Sequence, residues 1–540
     1  MKKIITTILT AAALLAAVSC DKFLDRMPDN RAEINDQAKI RALLVSAYPS
    51  TDYMLVTEFM SDNVDDYGKN NPYTDRFIDQ VYAWADVTET DNEDPESVWG
   101  SSYIAIAAAN EALQAIEDLG GVEATGMYAE KAEALLCRAY NHFILANVFC
   151  MAYNPETADK TLGIPYSEET ETSLNPKYQR GTLANVYAKI ARDIEAALPY
   201  VSEEYYLVPK YHFNTKAAYA FAARFYLYYE KFDKSLECAN KVLGNQPGGM
   251  LRDWAYQATM TQDYDVLVNH YIEATLGCNL LLMTAYSKMG LAFGPYYVYS
   301  RYAHGEYLAN RETGIAISDL WGGNNDTYYS GMKIYSATNL DKTIFWRLPY
   351  LFEYTDPVAR IGYYRTVYPA FTADMTLLER AETNVILENY DDAVRDINLW
   401  VGNIAKDPTT LTQERIEKYF NNTPYHLWDT ATVKKHINPN AALNIGAEGG
   451  TKENLLQCVL ALKRVESLGS GLRWFDIKRY NIEIDRRILN AAGRPAKKTD
   501  TLVKDDPRRA VQIPPKVRAA DMEPNPRNAT PDNTETSTEQ

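Results

Sequence analysis

Residues 455–480, LLQCVLALKRVESLGSGLRWFDIKRY, constrain the fold more than any other stretch of this chain. Leu455, Cys458, Val459, Leu462 and Val465 recur at three- and four-residue spacings, which draws an apolar stripe along one face of a helix. Lys463, Arg464 and Glu466 fall on the other side. Gly469 and Gly471 then end the helix, because glycine tolerates the left-handed geometry of a helix end. In the mixed segment that follows, Trp474 and Ile477 stand three apart and can both face a core, while Arg473, Asp476, Lys478 and Arg479 pair on the rim. Read alone, this is a structural helix corner with no chemistry.

The rest of the chain gives such a corner partners. Arg41 to Tyr48 starts a helical body. Trp99 to Leu119 and Ala129 to Phe149 read as an antiparallel pair, with Ala132, Leu135, Ala139, Phe143 and Ala146 on the inner face of the second. Helical patterns also cover Thr182 to Tyr200 and Thr215 to Leu243. A repeat links two regions: Tyr229-Glu230-Lys231-Phe232-Asp233-Lys234-Ser235-Leu236 aligns with Leu387-Glu388-Asn389-Tyr390-Asp391-Asp392-Ala393-Val394, with Ala223 and Ala381 upstream. An aromatic-Asp turn between small residues resembles a tetratricopeptide-like hairpin, a unit that buries its apolar face only by stacking. Two unrelated hairpins with a common turn type are the alternative. The fold class expected is all-α, mainly helical, with a few short strands and long loops, the hairpins forming one large domain. Between the repeat units, residues 248–370 lose helical periodicity and gather tyrosine, tryptophan, glycine and asparagine. This reads as an irregular insertion suited to binding. Asn63 to Tyr73 reads as a loop, as does the acidic stretch from Asp86 to Pro95.

The N-terminus reads as an address. Lys2 and Lys3 precede an apolar run, Ile4 to Val18, which is short for a membrane span. It ends in Ala17-Val18-Ser19-Cys20, similar to a bacterial lipobox. Residues 1–19 are then a signal peptide, Cys20 is the lipidation site, and residues 20–40 are a tether ahead of a body over 41–528, with a polar tail at 529–540. Cleavage by the ordinary signal peptidase is the alternative. Cys137, Cys150, Cys238, Cys278 and Cys458 are odd in number and lack CxxC spacing, so they read as small buried residues.

A net charge of −17 with no basic cluster argues against nucleic acid and anionic membrane as partners. Forty-one tyrosines against 15 phenylalanines supply flat apolar area with polar tips, which suits a wet recognition surface. No nucleophile elbow, zinc-binding helix motif, Walker A loop or complete dinucleotide fingerprint is present, and the six histidines form no pair at helical spacing. No catalytic role is expected. Asp86, Glu89, Asp91, Asn92, Glu93 and Asp94 supply oxygens that suit calcium but lack EF-hand spacing, so a solvated loop is the preferred reading.

Gly471, Arg473, Trp474, Phe475, Asp476, Lys478 and Arg479 resemble the EG-x-RW-x-DL-x-R signature of the SusD/RagB family of Bacteroidetes outer-membrane lipoproteins, although Ser470 stands where that signature has Glu, which predicts a looser corner. Phe23-Leu24-Asp25 and Pro28 after Cys20 resemble the family's mature N-terminus. Gly163-Ile164-Pro165 resembles its G-x-P loop, and Ile513-Pro514-Pro515 with Asn525-Pro526-Arg527-Asn528 resembles its terminal segment. The resemblance spans Cys20 to about Asn528. It implies a lipid-anchored outer-membrane protein on the cell surface that captures oligosaccharides and delivers them, as a lid, to a SusC-like TonB-dependent transporter. No cofactor is expected. Capture of peptides or other small nutrients, or a structural transporter subunit with no ligand site, are alternatives. Sugar faces lie flat on aromatic rings. The expected stacking residues are therefore Tyr67, Tyr73, Trp84, Tyr296, Tyr297, Tyr299, Tyr302 and Trp321, with Asn63, Asp66 and Arg301 for polar contacts.

Overall fold

The computed structural model describes residues 34–527, apart from 69–70, 72, 172–176, 298, 330–331 and 338–339. The stretch read as a signal peptide, Cys20, most of the stretch read as a tether and residues 529–540 lie outside the described residues. The helices that build the scaffold are α1 (Gln37–Leu44), α2 (Met54–Met60), α3 (Arg76–Tyr82), α4 (Pro95–Asp118), α5 (Tyr128–Phe149), α6 (Leu183–Ala197), α7 (Thr215–Tyr228), α8 (Phe232–Leu243), α9 (Ala373–Ile386), α10 (Tyr390–Ile404), α11 (Gln413–Asn422), α12 (Thr451–Glu466) and α13 (Leu472–Arg479). As expected, the chain is mainly helical with a few short strands. Helix α1 begins inside the stretch read as a tether, where Asp36 caps it by accepting from Lys39 N at 2.9 Å.

The repeat is visible in the geometry. Helices α7 and α8 turn at Glu230 (φ 58°), and α9 and α10 turn at the aligned Glu388 (φ 64°). Ala223 and Ala381 are both fully buried. Ser235 Oγ donates to Ala223 O at 2.9 Å and lies 3.2 Å from Thr383 Oγ1, which ties one hairpin to the next. Small residues at these points let α8 lie against α9.

Two small sheets hang on this scaffold. One has the order β3-β1-β8-β9, from β1 (Asp65–Asp66), β3 (Tyr302–Ala303), β8 (Ile484–Leu489) and β9 (Pro495–Leu502). The other has the order β2-β7-β6, from β2 (Asn279–Tyr286), β6 (Leu351–Asp356) and β7 (Ile361–Thr372). A two-stranded ribbon, β4 (Lys333–Ala337) with β5 (Leu340–Ile344), completes the set. The insertion is therefore more regular than its sequence suggests. The aromatic and β-branched runs at 351–355 and 361–368, parted by Asp356-Pro357, are a strand-turn-strand signal inside a stretch whose composition reads as loop. Strand β2 is almost wholly buried and β7 is buried at its C-terminal end, whereas β6 is exposed along its whole length.

At the corner, Gly469 (φ 79°) and Gly471 (φ 72°) end α12 and start α13, as expected. The rim prediction is overturned. Arg473, Asp476 and Lys478 are buried, and α12 is buried on every side from Glu453 to Glu466. Lys463 donates to Glu382 at 2.6 Å and to Asp476 at 2.8 Å. Arg464 reaches Glu312 at 3.1 Å and Asn63 Oδ1 at 2.9 Å. The corner is also tighter than Ser470 suggests. The buried Glu58 of α2 accepts from Gly469 N at 3.0 Å and from Gly471 N at 2.9 Å. A Cβ on Gly471 would stand 2.2 Å from Thr57 Oγ1, so this close approach requires glycine.

Candidate functional site

The two loops that carry most of the expected site residues meet. Tyr73 N donates to Tyr299 O at 3.1 Å, and Arg301 N donates back to Tyr73 O at 3.0 Å, forming a short parallel bridge. Asn71 Nδ2 holds Ser300 O at 3.0 Å from the first loop. Tyr297 has φ 47°, a left-handed position that a bulky side chain rarely takes. Ser300 stabilises that turn, its N and Oγ both donating to Tyr297 O, at 3.0 and 2.5 Å. Strain of this kind persists where the surroundings hold it, and it collects at binding sites.

The bridge sets three rings side by side. Tyr73 stacks with Tyr297 at 5.2 Å between centroids and 17° between planes, and with Tyr299 at 6.3 Å and 27°. They stay 49 %, 46 % and 41 % exposed, respectively. Tyr73 and Tyr297 also line a cavity of about 280 Å³, walled by Phe59, Phe77 and Leu291 with Lys288 at its edge. Flat rings beside an apolar hollow with a few polar groups form a surface that takes a small polar ligand with an apolar face. The charge of Lys288 is met by Asp91.

The other expected residues lie elsewhere. Asn63 is fully buried, donating to Glu58 at 2.7 Å and accepting from Arg464. Asp66 is buried and accepts from Arg301 Nε and Nη2 at 3.0 and 2.9 Å, while Arg301 Nη1 donates to Asp79 at 3.3 Å, so these two polar candidates hold each other. Trp84 is buried, with Nε1 on Met60 O at 2.8 Å and the Arg486 guanidinium 4.1 Å from its ring. Trp321 is in the core, against Tyr328. Tyr302 is buried on Tyr82, with rings 4.2 Å apart, and its hydroxyl donates to Asp79 at 2.8 Å. Tyr67 is half-buried and its hydroxyl fills the space that a Cβ on Gly305 would occupy. Tyr296 is half-buried between Tyr264 and Tyr350. Composition alone does not separate these rings from the exposed three, because an aromatic serves a core as well as a surface.

The acidic loop is not gathered around a single point. Asp94 caps α4 by accepting from Ser97 N at 2.6 Å, while Asp86 pairs with Arg527 and Glu89 with Arg76. Glu93 is buried and accepts from Ser287 Oγ and Lys288 N. Among the described residues, no group of three or more His, Cys, Asp or Glu side chains is placed to hold a metal. Cys137, Cys150, Cys238, Cys278 and Cys458 are buried free thiols, as expected. A larger hollow of about 550 Å³ opens between residues 151–161 and the end of α13. Lys478 and Arg509 line it but donate to main-chain carbonyls, and Tyr153 is its one aromatic wall, so it lacks the flat surface of the tyrosine trio.

Comparison with known proteins places this geometry in context. Residues 22–227 match a SusD-like family model described as starch-binding associating with outer membrane. No curated protein matches the sequence. Among solved structures, a SusD superfamily protein from Bacteroides thetaiotaomicron VPI-5482 is 17 % identical with a TM-score of 0.57, covering 91 % of this chain and 99 % of its own. One from Bacteroides vulgatus ATCC 8482 is 18 % identical with a TM-score of 0.58, covering 90 % and 97 %. A SusD-like carbohydrate binding protein from the same organism is 14 % identical with a TM-score of 0.58, again over 90 % and 97 %. At these identities the structures establish the fold alone.

Proposed function

We propose that this chain is a member of the SusD/RagB family that captures oligosaccharides on the Tyr73–Tyr297–Tyr299 surface and delivers them to a partner transporter in the outer membrane. The family is one of starch- and sugar-binding, outer-membrane-associated proteins, described by what it binds and not by a reaction. The observation that carries the reading is the trio of stacked, exposed rings held rigid by a backbone bridge. A sugar presents C–H groups on its face and hydroxyls on its rim. Preorganised rings meet that face with little loss of conformational freedom. Asp75, Thr74 and Ser300 line the adjoining cavity and offer oxygens to the hydroxyls.

Delivery implies a TonB-dependent, SusC-like partner over which this protein acts as a lid. Lipidation at Cys20 would hold the protein at the membrane surface; no helix among the described residues is long and apolar enough to cross a membrane. A glycan array probed with the mature protein and with Tyr73→Ala and Tyr297→Ala tests the reading. Binding by the parent that both variants lose supports it, and a parent that ignores every glycan overturns it. A second reading, peptide capture by strand addition, has one observation in its favour: β6 is an exposed sheet edge among the described residues. Peptides belong in the same assay.

A further inference from the structure

A second set of rings lies outside the trio. Phe352 and Tyr354 are two residues apart in β6 and therefore share a face of the hairpin. Across the ladder Phe352 is opposite Tyr364 and Tyr354 is opposite Gly362. The rings touch in sequence: Tyr354 to Phe352 at 4.9 Å, Phe352 to Tyr364 at 5.1 Å, Tyr364 to Tyr350 at 5.0 Å, and Tyr350 to Tyr296 at 4.9 Å. Tyr296 is the chain neighbour of Tyr297 in the trio. Burial, then the hydroxyl of Tyr364, push the Tyr350 phenol up. The row thus runs from Tyr296, next in the chain to Tyr297 of the trio, out along the hairpin.

The hairpin is shaped to display these rings. Gly362 leaves room for Phe352, since a Cβ there would stand 2.9 Å from the Phe352 ring and 2.0 Å from Glu353 O. Phe352 is 37 % exposed and Tyr354 54 %. Each ring is braced by its neighbour at a tilted or edge-on angle, an arrangement aromatic pairs favour. On the opposite face, Arg365 is tied to Glu353 and lies 4.6 Å over the Tyr286 ring, which Tyr363 meets at 5.2 Å, while Leu351 and Tyr363 stay exposed there without joining the row. The core does not require these exposed rings, because β6 pairs with β7 alone among the described residues.

We propose that Tyr350, Phe352, Tyr354 and Tyr364 form a track that continues the tyrosine platform, so that the protein holds an extended glycan chain along the hairpin and not a chain end alone. This rests on the carbohydrate reading above. Aromatic residues also populate protein interfaces. Continuity with the trio is what favours one long ligand spanning both surfaces.

The test titrates two ladders, starch-derived α-glucan and β-glucan oligosaccharides, each from disaccharide to octasaccharide. The proteins are the parent, Tyr73→Ala, Tyr354→Ala and the Phe352→Ala/Tyr354→Ala double variant. Melting temperatures check that each variant folds, and the Tyr354→Ala single change keeps the test open should the double variant fail. In the parent, affinity should climb with chain length. In the hairpin variants that climb should shrink by about tenfold or more, the worth of a covered ring face. Tyr73→Ala should weaken binding at every length. Hairpin variants that keep the parent's full gain with length overturn the track while leaving the platform standing. So does an unchanged gain accompanied by loss of co-purification with a membrane partner, which assigns the face to a protein. A parent that binds neither ladder overturns the carbohydrate reading for these glucans and the track with it.

Discussion

Arg473 and Asp62, 411 residues apart in the chain, meet through two parallel bonds of 2.9 Å in the buried centre of the molecule. Asp62 also faces Arg464 at 3.3 Å and Lys435 at 3.8 Å. Those two cations reach Glu312 at 3.1 and 2.6 Å, and Arg487 joins from β8 at 2.7 Å. Burial opposes the Asp62 charge, but Arg464 and Arg473 together outweigh it and hold the carboxyl well below the usual range. Three parts of the chain far apart in sequence are thereby locked in one register.

Asp62→Ala should therefore destabilise the fold by about 3–5 kcal/mol, because it leaves buried cations without their counter-charge. Asp62→Asn should lose nearly as much, since the amide restores shape but not charge. Urea unfolding measures both. A loss under about 1 kcal/mol, the range of an exposed ion pair, would mean that water reaches this network.

Trp474→Ala should destabilise by about 3–5 kcal/mol, the usual effect of truncating a fully buried aromatic. Glycan affinity measured well below the melting temperature should hold, because Trp474 lies at the corner and not on the tyrosine surface. An unchanged melting temperature with lost binding would place Trp474 in the wrong role.

How much of this was legible depends on which force set each feature. The corner was legible because two glycines and a three-residue apolar spacing act locally. The hairpins were legible because Ala223 and Ala381 sit at one position of a repeat. The polar interior was not: periodicity places Lys463 and Arg464 on a solvated face, and their burial is made tolerable by Glu382 and Asp476 around Lys463 and by Glu312 and Asp62 around Arg464. The same limit applies to the site. Tyr297 and Tyr302 are five residues apart and look alike in sequence, yet one is held outward by a strained turn and the other is stacked beneath Tyr82. The row along β6 is not legible because its rings meet only through the pairing of β6 with β7, which no local pattern in the sequence reveals.

Asp52 predicts a pH effect. Its Oδ1 accepts from Met54 N at 2.7 Å, while the buried Oδ2 has no hydrogen-bond partner among the described residues. Burial pushes its carboxyl from 3.8 up to about 7. A folded value above the unfolded one means that the bound proton stabilises the fold fully below 3.8, and that this stability is lost as pH rises towards 7. Asp52→Asn keeps the acceptor and removes the ionisation. Its melting temperature should gain on that of the parent by several degrees between the two ends of this window. Parallel profiles for the two proteins would exclude Asp52 as the titrating group.

Cys20→Ala should release the protein from the outer membrane, since it removes the only thiol available at the Ser19–Cys20 junction. Membrane fractionation of cells lacking the transporter proposed as its partner reads the result cleanly. A mature-length variant that still sediments with membranes would be incompatible with lipidation at this residue.

The tyrosines offer the sharpest separation of roles. Tyr73, Tyr297 and Tyr299 are exposed and support no core, so each change to Ala should leave the melting temperature within about a degree or two, as surface substitutions do. At least one should weaken oligosaccharide binding by about 1–2 kcal/mol, roughly tenfold or more, judged by the apolar area that a sugar covers on a ring. Tyr73 should matter most, because it stacks with both of the others and its removal loosens the whole surface. Tyr302→Ala should behave in the opposite way. It empties a buried site against Tyr82 and removes the Tyr302 hydroxyl from Asp79, so stability should fall by about 3–5 kcal/mol. Any effect of Tyr302→Ala on affinity should then follow from the folded fraction and vanish once titrations are corrected for it. Calorimetric titration and thermal melts on the four variants give both readouts. If Tyr302→Ala alone lost binding while the three exposed tyrosines proved silent, the ligand would have to enter the cavity behind the rings and not lie on them.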